Sequence, residues 1–536
     1  MTEYPRVLPF GDGGLLVEFE EVLSPDVNGR VRALARRLAG VPGVLETVPT
    51  FRSVLVVLAP VQGVKSSRDT FGSPFVSSED LTPSALLALA RATPPVPSGS
   101  TRVIEVPVVY GGTAGPDLEA VAEGAGLGAD EVAAIHGGRE YLVYMLGFAP
   151  GFPYLGTVDE RIRAPRLGSP RVRVPAGSVG VADVLTGIYP LQTAGGWRLI
   201  GRTPLRIYDP RDPDPFLFQP GDRVRFTRVD QAEIRDNDLG PARPMRAGHR
   251  PVFEVLEPGL YSTIQDAGRP GFRGRGLPAA GAMDAQAFRR ANAAVGNDPG
   301  AAALELTVPG PVLRALDHAT IAITGADLSP SIDGATVALS VPRVMAPGQT
   351  LQFGAPRRGV WAYLAIAGGI DVPRPLGSAA TYVPGSIGGM RGRRLMAGDI
   401  LARERTDAGH LAGPQPHVQI PEDEVTVRYV PGPQTDWFTD EAEGVFTSSA
   451  YRVSVHSDRA GIRLEGPALR HRDRADILSD GMLPGAIQVP GGGQPIVIMP
   501  DGPTTGGYPK IGVIIAADLR LLAQARPGTK VRFAAR

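Results

Sequence analysis

PGDRVRF at Pro220–Phe226, PGQTLQF at Pro347–Phe353 and PGTKVRF at Pro527–Phe533 repeat one pattern at three widely separated places. In each, Pro-Gly makes a tight turn, and the alternation that follows puts Val or Leu and then Phe at related depths on a strand. A second echo comes from glycine–aromatic strand starts: GGWRLIG from Gly195, GVWAYLAIAGG from Gly359 and GGYPKIGVIIA from Gly506. Three units sharing a turn and a strand are the expected source.

Composition agrees with short strands separated by many turns. Among 536 residues there are 68 glycines and 53 prolines, and 43% of the chain is hydrophobic. That is enough apolar material for ordered cores and too many breakers for an all-helical protein. The length exceeds one core and suggests three or four domains at roughly 150 residues each.

Working outward, SPDVNGRVRALARRLAG from Ser24 has an N-cap serine, Pro25 in the first turn, apolar Val27, Val31, Leu34 and Leu38, and Gly40 as the stop. It lies between strand-like LLVEFE from Leu15 and SVLVVLA from Ser53, and Thr82-Pro83 opens a second helix. Polar, Pro-containing stretches at Ala92–Ser100, Arg228–Pro251 and Glu404–Glu424 divide the rest. The expected fold is mainly β with a small N-terminal α/β subdomain (1–95), a β-barrel (96–230), a linker (231–250), a second β-barrel (251–410) and a third (411–536).

Fifty-five basic side chains balance fifty-five acidic ones, which leaves no charge footprint for nucleic acid or an anionic membrane. The absence of cysteine excludes disulfides, thiolate metal sites and a cysteine nucleophile. No apolar run is long enough to span a bilayer and no leader pattern opens the chain, so a soluble cytoplasmic protein is expected. The sequence has no GxxxxGK[ST] phosphate loop, no GxSxG elbow, no HExxH helix and no Met-Lys carrier motif for biotin. The seven histidines lack ligand spacing, so no protein-built metal site is expected.

Four stretches hold the candidate chemistry. GREYLVYMLGFAPGFPYLG (138–156), preceded by His136, has glycines such as Gly151 that let backbone N–H groups approach an anion, with Phe148, Phe152 and Tyr154 as walls for a flat ligand. The same text also reads as a turn whose aromatic residues plug a barrel end, and His136 as a surface histidine at a helix end. PRVRVPAGSVGVA from Pro170 places Arg171 and Arg173 on one strand face, suited to a carboxylate or phosphate or simply solvated, with Gly177 and Ser178 in the following turn. STIQDAGRPGFRGRGLPAAGAMD (262–284) gathers Gln265, Asp266 and Arg269 among glycines before a helix capped by Asp284. The fourth runs from SDRAGIRLEG, with Arg459, to GAIQVP, with Gln488, and TTGGYPKIG, with Thr504, Thr505, Gly506, Gly507, Tyr508 and Lys510. There Lys510 could supply a cation to phosphates and Asp501 a magnesium contact, or Asp501 and the threonines could satisfy a turn.

Taken together, GFAPGFPYLG, VPAGSVGVA, GGWRLIGRTP, STIQDAGRPG, GAMD, GAIQVP and TTGGYPKIG resemble the paired domains named after allophanate hydrolase subunits 1 and 2. Residues from about 5 to 230 resemble the B component of bacterial 5-oxoprolinase and about 252 to 535 the C component, in the order of the fused form; the pair is also known as a sporulation-kinase inhibitor and its antagonist. The resemblance implies cyclophilin-like barrels, ATP with magnesium, 5-oxoproline as substrate and a separate A-type subunit as partner, with homo-oligomers also expected. Asp501, Lys510 and Arg459 are the expected catalytic set, and the other residues named above would bind substrate or ATP. Two other readings stand beside this one: a carboxyltransferase partner of a biotin enzyme, and a non-enzymatic regulator of a histidine kinase. The chain departs from the family pattern at Ala379-Ala380, at Thr193-Ala194 and at Gly502-Pro503.

Overall fold

The computed structural model describes residues 3–59, 81–95, 102–231, 244–245, 248–405, 413–416, 420 and 422–536. Much of the three expected linkers lies outside these residues.

Two closed seven-stranded barrels dominate the fold. Around the first the order is Val103–Tyr110, Arg198–Arg202, Ser178–Ala182, Leu185–Ile188, Pro153–Gly156, Glu140–Leu146 and Arg223–Arg228. Around the second it is Glu424–Pro431, Lys510–Ile514, Ala486–Gln488, Ile496–Ile498, Gly461–Glu465, Tyr451–Val453 and Lys530–Ala535. In chain order the two circuits are the same. The Pro-Gly repeat explains how each closes: its strand pairs in parallel with the barrel's first strand, Arg223 opposite Val103 and Lys530 opposite Glu424. It then pairs antiparallel with the next strand round. Val224, Phe226, Val531 and Phe533 are all buried, at the depths the alternation predicts.

The middle unit corrects the expectation of a barrel at 251–410. Its strands form a six-stranded and a five-stranded open sheet. Both sheets face one core, with Val255, Leu313 and Leu351 from one and Leu304, Ile323 and Leu364 from the other. PGQTLQF supplies the short strand Thr350–Gln352 inside the six-stranded sheet rather than a closing strand. A local turn-and-strand motif fixes a strand start and leaves closure to distant partners.

The N-terminal unit is a four-stranded antiparallel sheet bearing two helices. Helix Pro25–Leu38 is capped by the Ser24 hydroxyl, which accepts from Asp26 N, and Gly40 follows at φ +83°. The sheet lays one face on this helix through Val17, Val54 and Val56. Its other face meets the last barrel: Phe10, Leu16, Val48 and Leu55 pack on Met482, Leu483, Ile498 and Val513. At roughly 1.5–3 kcal/mol for each fully buried large apolar side chain, this seam ties the first unit to the last. Among the described residues no helix is long and apolar enough to cross a membrane.

Candidate functional site

The hairpin of strands Glu140–Leu146 and Pro153–Gly156 delivers the GFAPGF turn to a junction of three units. Phe148 has φ +64° and stays 40% exposed, a left-handed geometry that costs a non-glycine residue on the order of 1 kcal/mol and concentrates at functional sites. Its N–H donates to Thr505 Oγ1 of the last barrel at 3.2 Å. Gly151 N donates to Arg275 O of the middle unit at 2.8 Å, and Leu146 bridges to Arg275. A Cβ at Gly147 would collide with the Thr505 side chain. Phe152 and Tyr154, expected as ligand walls, instead pack in the barrel end with Tyr189 and Trp197. Only Phe148 of the three is exposed.

The arginine–glycine loop reaches the same junction. Asp266 is turned inward: Oδ1 accepts from Gly268 N and Ser378 Oγ, and Oδ2 from Ala379 N. It braces the GSAAT loop at 377–381, with both carboxylate oxygens already engaged. Arg269 is 1% exposed and donates from Nη2 to Ala380 O, while its Nε and Nη1 have no hydrogen-bond partner among the described residues. Gln265 Nε2 is held by Thr263 and Thr381, yet its Oε1 is buried without a partner, as is Thr504 Oγ1. Tyr208 of the first barrel closes the junction by donating to Gly385 O at 3.0 Å. Leaving such groups unmade costs about 1–3 kcal/mol each.

A buried charge network supports it. Arg459 clamps Asp501 through Nε and Nη2, both at 2.8 Å, and donates to Glu305 and to Gly281 O. Glu305 also accepts from Met283 N at 2.7 Å and from the Tyr363 hydroxyl at 2.8 Å. The Tyr363 hydroxyl in turn accepts from Asp284 N at 2.7 Å. Asp284 caps helix Ala285–Ala294 and accepts from Gln524, so its role here is structural. Burial pushes the Glu305 carboxyl up, against the pull of Arg459. Burial works against the Arg459 charge too, but Asp501 and Glu305 together hold it firmly protonated.

Two expected catalytic groups are therefore corrected. Both oxygens of Asp501 are taken by Arg459, which does not fit a magnesium ligand. Lys510 is wholly buried, with Nζ 2.5 Å from Asp480 Oδ1, so it does not fit a phosphate-facing cation. Asp480 accepts from Gln434 as well, and burial raises its carboxyl. Lys510→Met is expected to leave Asp480 buried and unpaired and to cost about 3 kcal/mol, read as a lowered urea midpoint with unchanged slope. Adding Asp480→Leu should restore most of it.

Other expected residues lie apart from the junction. His136 is fully buried, not on the surface, with Nδ1 2.7 Å from Tyr110 Oη and Nε2 2.9 Å from Thr186 Oγ1. Burial lowers its pKa to about 3. A histidine depressed when folded binds its proton more readily when unfolded, so stability is full above pH 6.5 and falls as pH drops toward 3. The expected slope is about 1.4 kcal/mol per pH unit. Comparing acid unfolding of wild type and His136→Gln checks this, since the variant should lose that slope. Arg171 pairs with Asp117 at 2.7 Å, whereas Arg173 reaches Gln192 at 3.3 Å, so the two do not converge on one ligand. Gly177 turns at φ +80° and Ser178 is buried in its strand. Gly506 lies beside Gln488 Oε1, Gly507 near Ser479, and Tyr508 is 37% exposed. Glu305, Tyr363, Asp480 and Tyr208 escaped the sequence reading; a lone carboxylate in the apolar strand ALEL was the signal for Glu305.

Comparison with known proteins follows the same division into halves. The family model for carboxyltransferase subdomains C and D matches residues 5–218, and that for subdomains A and B matches 275–535. The C component of Escherichia coli 5-oxoprolinase is 39% identical over 284 residues, 90% of its length and 53% of this chain. The B component of the Bacillus subtilis enzyme is 41% identical over 235 residues, 96% of its length and 44% of this chain. The chain belongs to the carboxyltransferase-domain family that includes the B and C components of 5-oxoprolinase. The fused B–C architecture accounts for the paired barrels, and the junction lies where the B-like half meets the C-like half. The crystal structure of TTHA0988 covers 97% of this chain and 99% of its own, with a TM-score of 0.83 and 37% identity. Urea amidolyase of Lachancea kluyveri is 36% identical over 307 residues, 53% of this chain and 17% of that enzyme.

Proposed function

We propose that this chain is the B–C component of an ATP-dependent 5-oxoprolinase, acting on 5-oxoproline with a separate A-type subunit. The observation that carries the reading is Arg269, a buried guanidinium with two unmade donors at the junction of the two halves. A small substrate with a carboxylate and a lactam amide matches them: its carboxylate and carbonyl oxygens would accept from Arg269 and from the Thr504 hydroxyl, and its lactam N–H would donate to Gln265 Oε1. Phe148, whose N–H reaches Thr505, offers an exposed ring at the same junction.

An amide resists water, and ATP would supply a phosphoryl group that turns the lactam oxygen into a leaving group. This chain's residues would orient the lactam, desolvate it and hold its carboxylate away from the reacting oxygen. Nucleotide contacts are not assigned to Asp501 or Lys510, whose charges are already paired. The relation to urea amidolyase favours one second reading, carboxyl transfer from a biotin carrier. ATP hydrolysis by the chain mixed with a candidate A-type subunit, with and without 5-oxoproline, separates them. Turnover that needs both additions supports the proposal; turnover that needs a biotinylated protein instead overturns it.

A further inference from the structure

The arginine–glycine loop that carries Arg269 belongs to the C-like half, yet its tip is held by the N-terminal unit. Strand Val44–Pro49 has a bulge between Val44 and Glu46. A bulge re-aims a side chain, and the alternation after it puts Glu46 on the same face as Val48, toward the C-like half. Glu46 is 7% exposed. Its Oε2 accepts from Gly271 N at 2.8 Å and from Arg273 N at 3.1 Å, and its Oε1 accepts from the Arg273 guanidinium. One carboxylate of the N-terminal unit therefore takes three donors of the loop tip.

The rest of the loop fits between two elements of the B-like half. On one side Gly274 lies against the same strand, where a Cβ would stand 3.1 Å from Thr47 O. On the other, Gly276 faces the GFAPGF turn, and a Cβ there would collide with Ala149 O. The loop closes at its base, where Arg269 N donates to Ala279 O at 2.8 Å. Leu277 packs in one buried cluster with Ala380, whose carbonyl receives Arg269. The Arg269 guanidinium is held through Nη2 alone, by Ala380 O and, at 3.4 Å, by Ser378 O. With Nε and Nη1 unmade, its placement depends on where the loop sets its backbone.

A buried ion pair is weak evidence for stability, because apolar residues of similar volume often hold a seam as well. The sheet face that bears Glu46 also carries the apolar Phe10, Leu16, Val48 and Leu55. A carboxylate among them costs desolvation, and what it secures is one conformation of the loop. We propose that Glu46 is a positioning residue for Arg269: by fixing the loop tip, it sets the guanidinium where the substrate meets it. The inference rests on the reading of Arg269 as the substrate-binding arginine. It makes the N-terminal unit part of the substrate site without contact to the ligand.

Steady-state kinetics of the full chain with a competent A-type subunit, 5-oxoproline and ATP varied separately, test this. Glu46→Gln is expected to raise KM for 5-oxoproline at least about tenfold and to leave KM for ATP within about twofold. Gly274→Ala crowds the same loop without stranding a charge; it should raise KM for 5-oxoproline severalfold, and it decides the matter if Glu46→Gln does not fold. In an Arg269→Met background, Glu46→Gln should add nothing further to that KM. A brace that only supports the fold would lower kcat through the active fraction and leave both KM values unchanged. That result, or effects of Glu46→Gln and Arg269→Met that multiply, overturns the proposal. No turnover by the wild-type mixture would overturn the 5-oxoprolinase reading and the inference with it. Wild-type turnover with an unmoved KM in both variants would overturn the inference alone.

Discussion

Arg459→Ala is expected to unfold the C-like half, or to lower its stability by about 3–5 kcal/mol or more, because one substitution strands two buried carboxylates. Arg459, Glu305 and Asp501 are each 6% exposed or less, and the guanidinium satisfies both acids and Gly281 O at once. Met283 N and the Tyr363 hydroxyl would still hold Glu305, but nothing would balance its charge. The loss should be steepest near neutral pH and milder as acid protonates the stranded pair. Urea titrations of Arg459→Ala and of Arg459→Met/Glu305→Leu/Asp501→Leu check it. The triple variant, with the charges removed together, should recover much of the lost stability while remaining inactive.

Arg269→Met is expected to do the reverse: no loss of stability, or a small gain, with substrate-dependent turnover down at least 100-fold. Removing an interaction that forms only when ligand is bound lowers activity without touching the apo fold. Arg269 gives one strong contact, to Ala380 O, and leaves Nε and Nη1 unmade in a buried setting that depresses its pKa. Thermal unfolding and steady-state kinetics on the same preparation separate the two effects. A Tm that falls by several degrees together with activity would show that Arg269 is a structural brace.

Local text carried much of the architecture. The Ser24 cap, the Pro25 start and the Gly40 stop were readable because each acts within a few residues. The Pro-Gly repeats marked strand starts correctly, and two of the three close a barrel. The third does not, because closure depends on which distant strand offers an edge, and PGQTLQF carries no record of that. The junction was half legible: Phe148, Gln265, Arg269, Thr504 and Thr505 were named from separate motifs. Their meeting is set by packing across more than 350 positions of chain, as between Phe148 and Thr505. The misreadings share a cause. Asp501, Lys510 and His136 are types that do chemistry when free, and here each is already partnered, by Arg459, by Asp480, and by Tyr110 with Thr186. The buried contact of the N-terminal sheet with the last barrel left no local trace.

The most direct test of the central claim follows the lactam oxygen. The chain, a competent A-type subunit, ATP and 5-oxoproline labelled with oxygen-18 at the lactam carbonyl would be combined, and the released phosphate and glutamate analysed by mass spectrometry. If the lactam oxygen is phosphorylated and leaves with phosphorus, the label appears in inorganic phosphate. Label retained wholly in glutamate, with none in phosphate, would contradict the account.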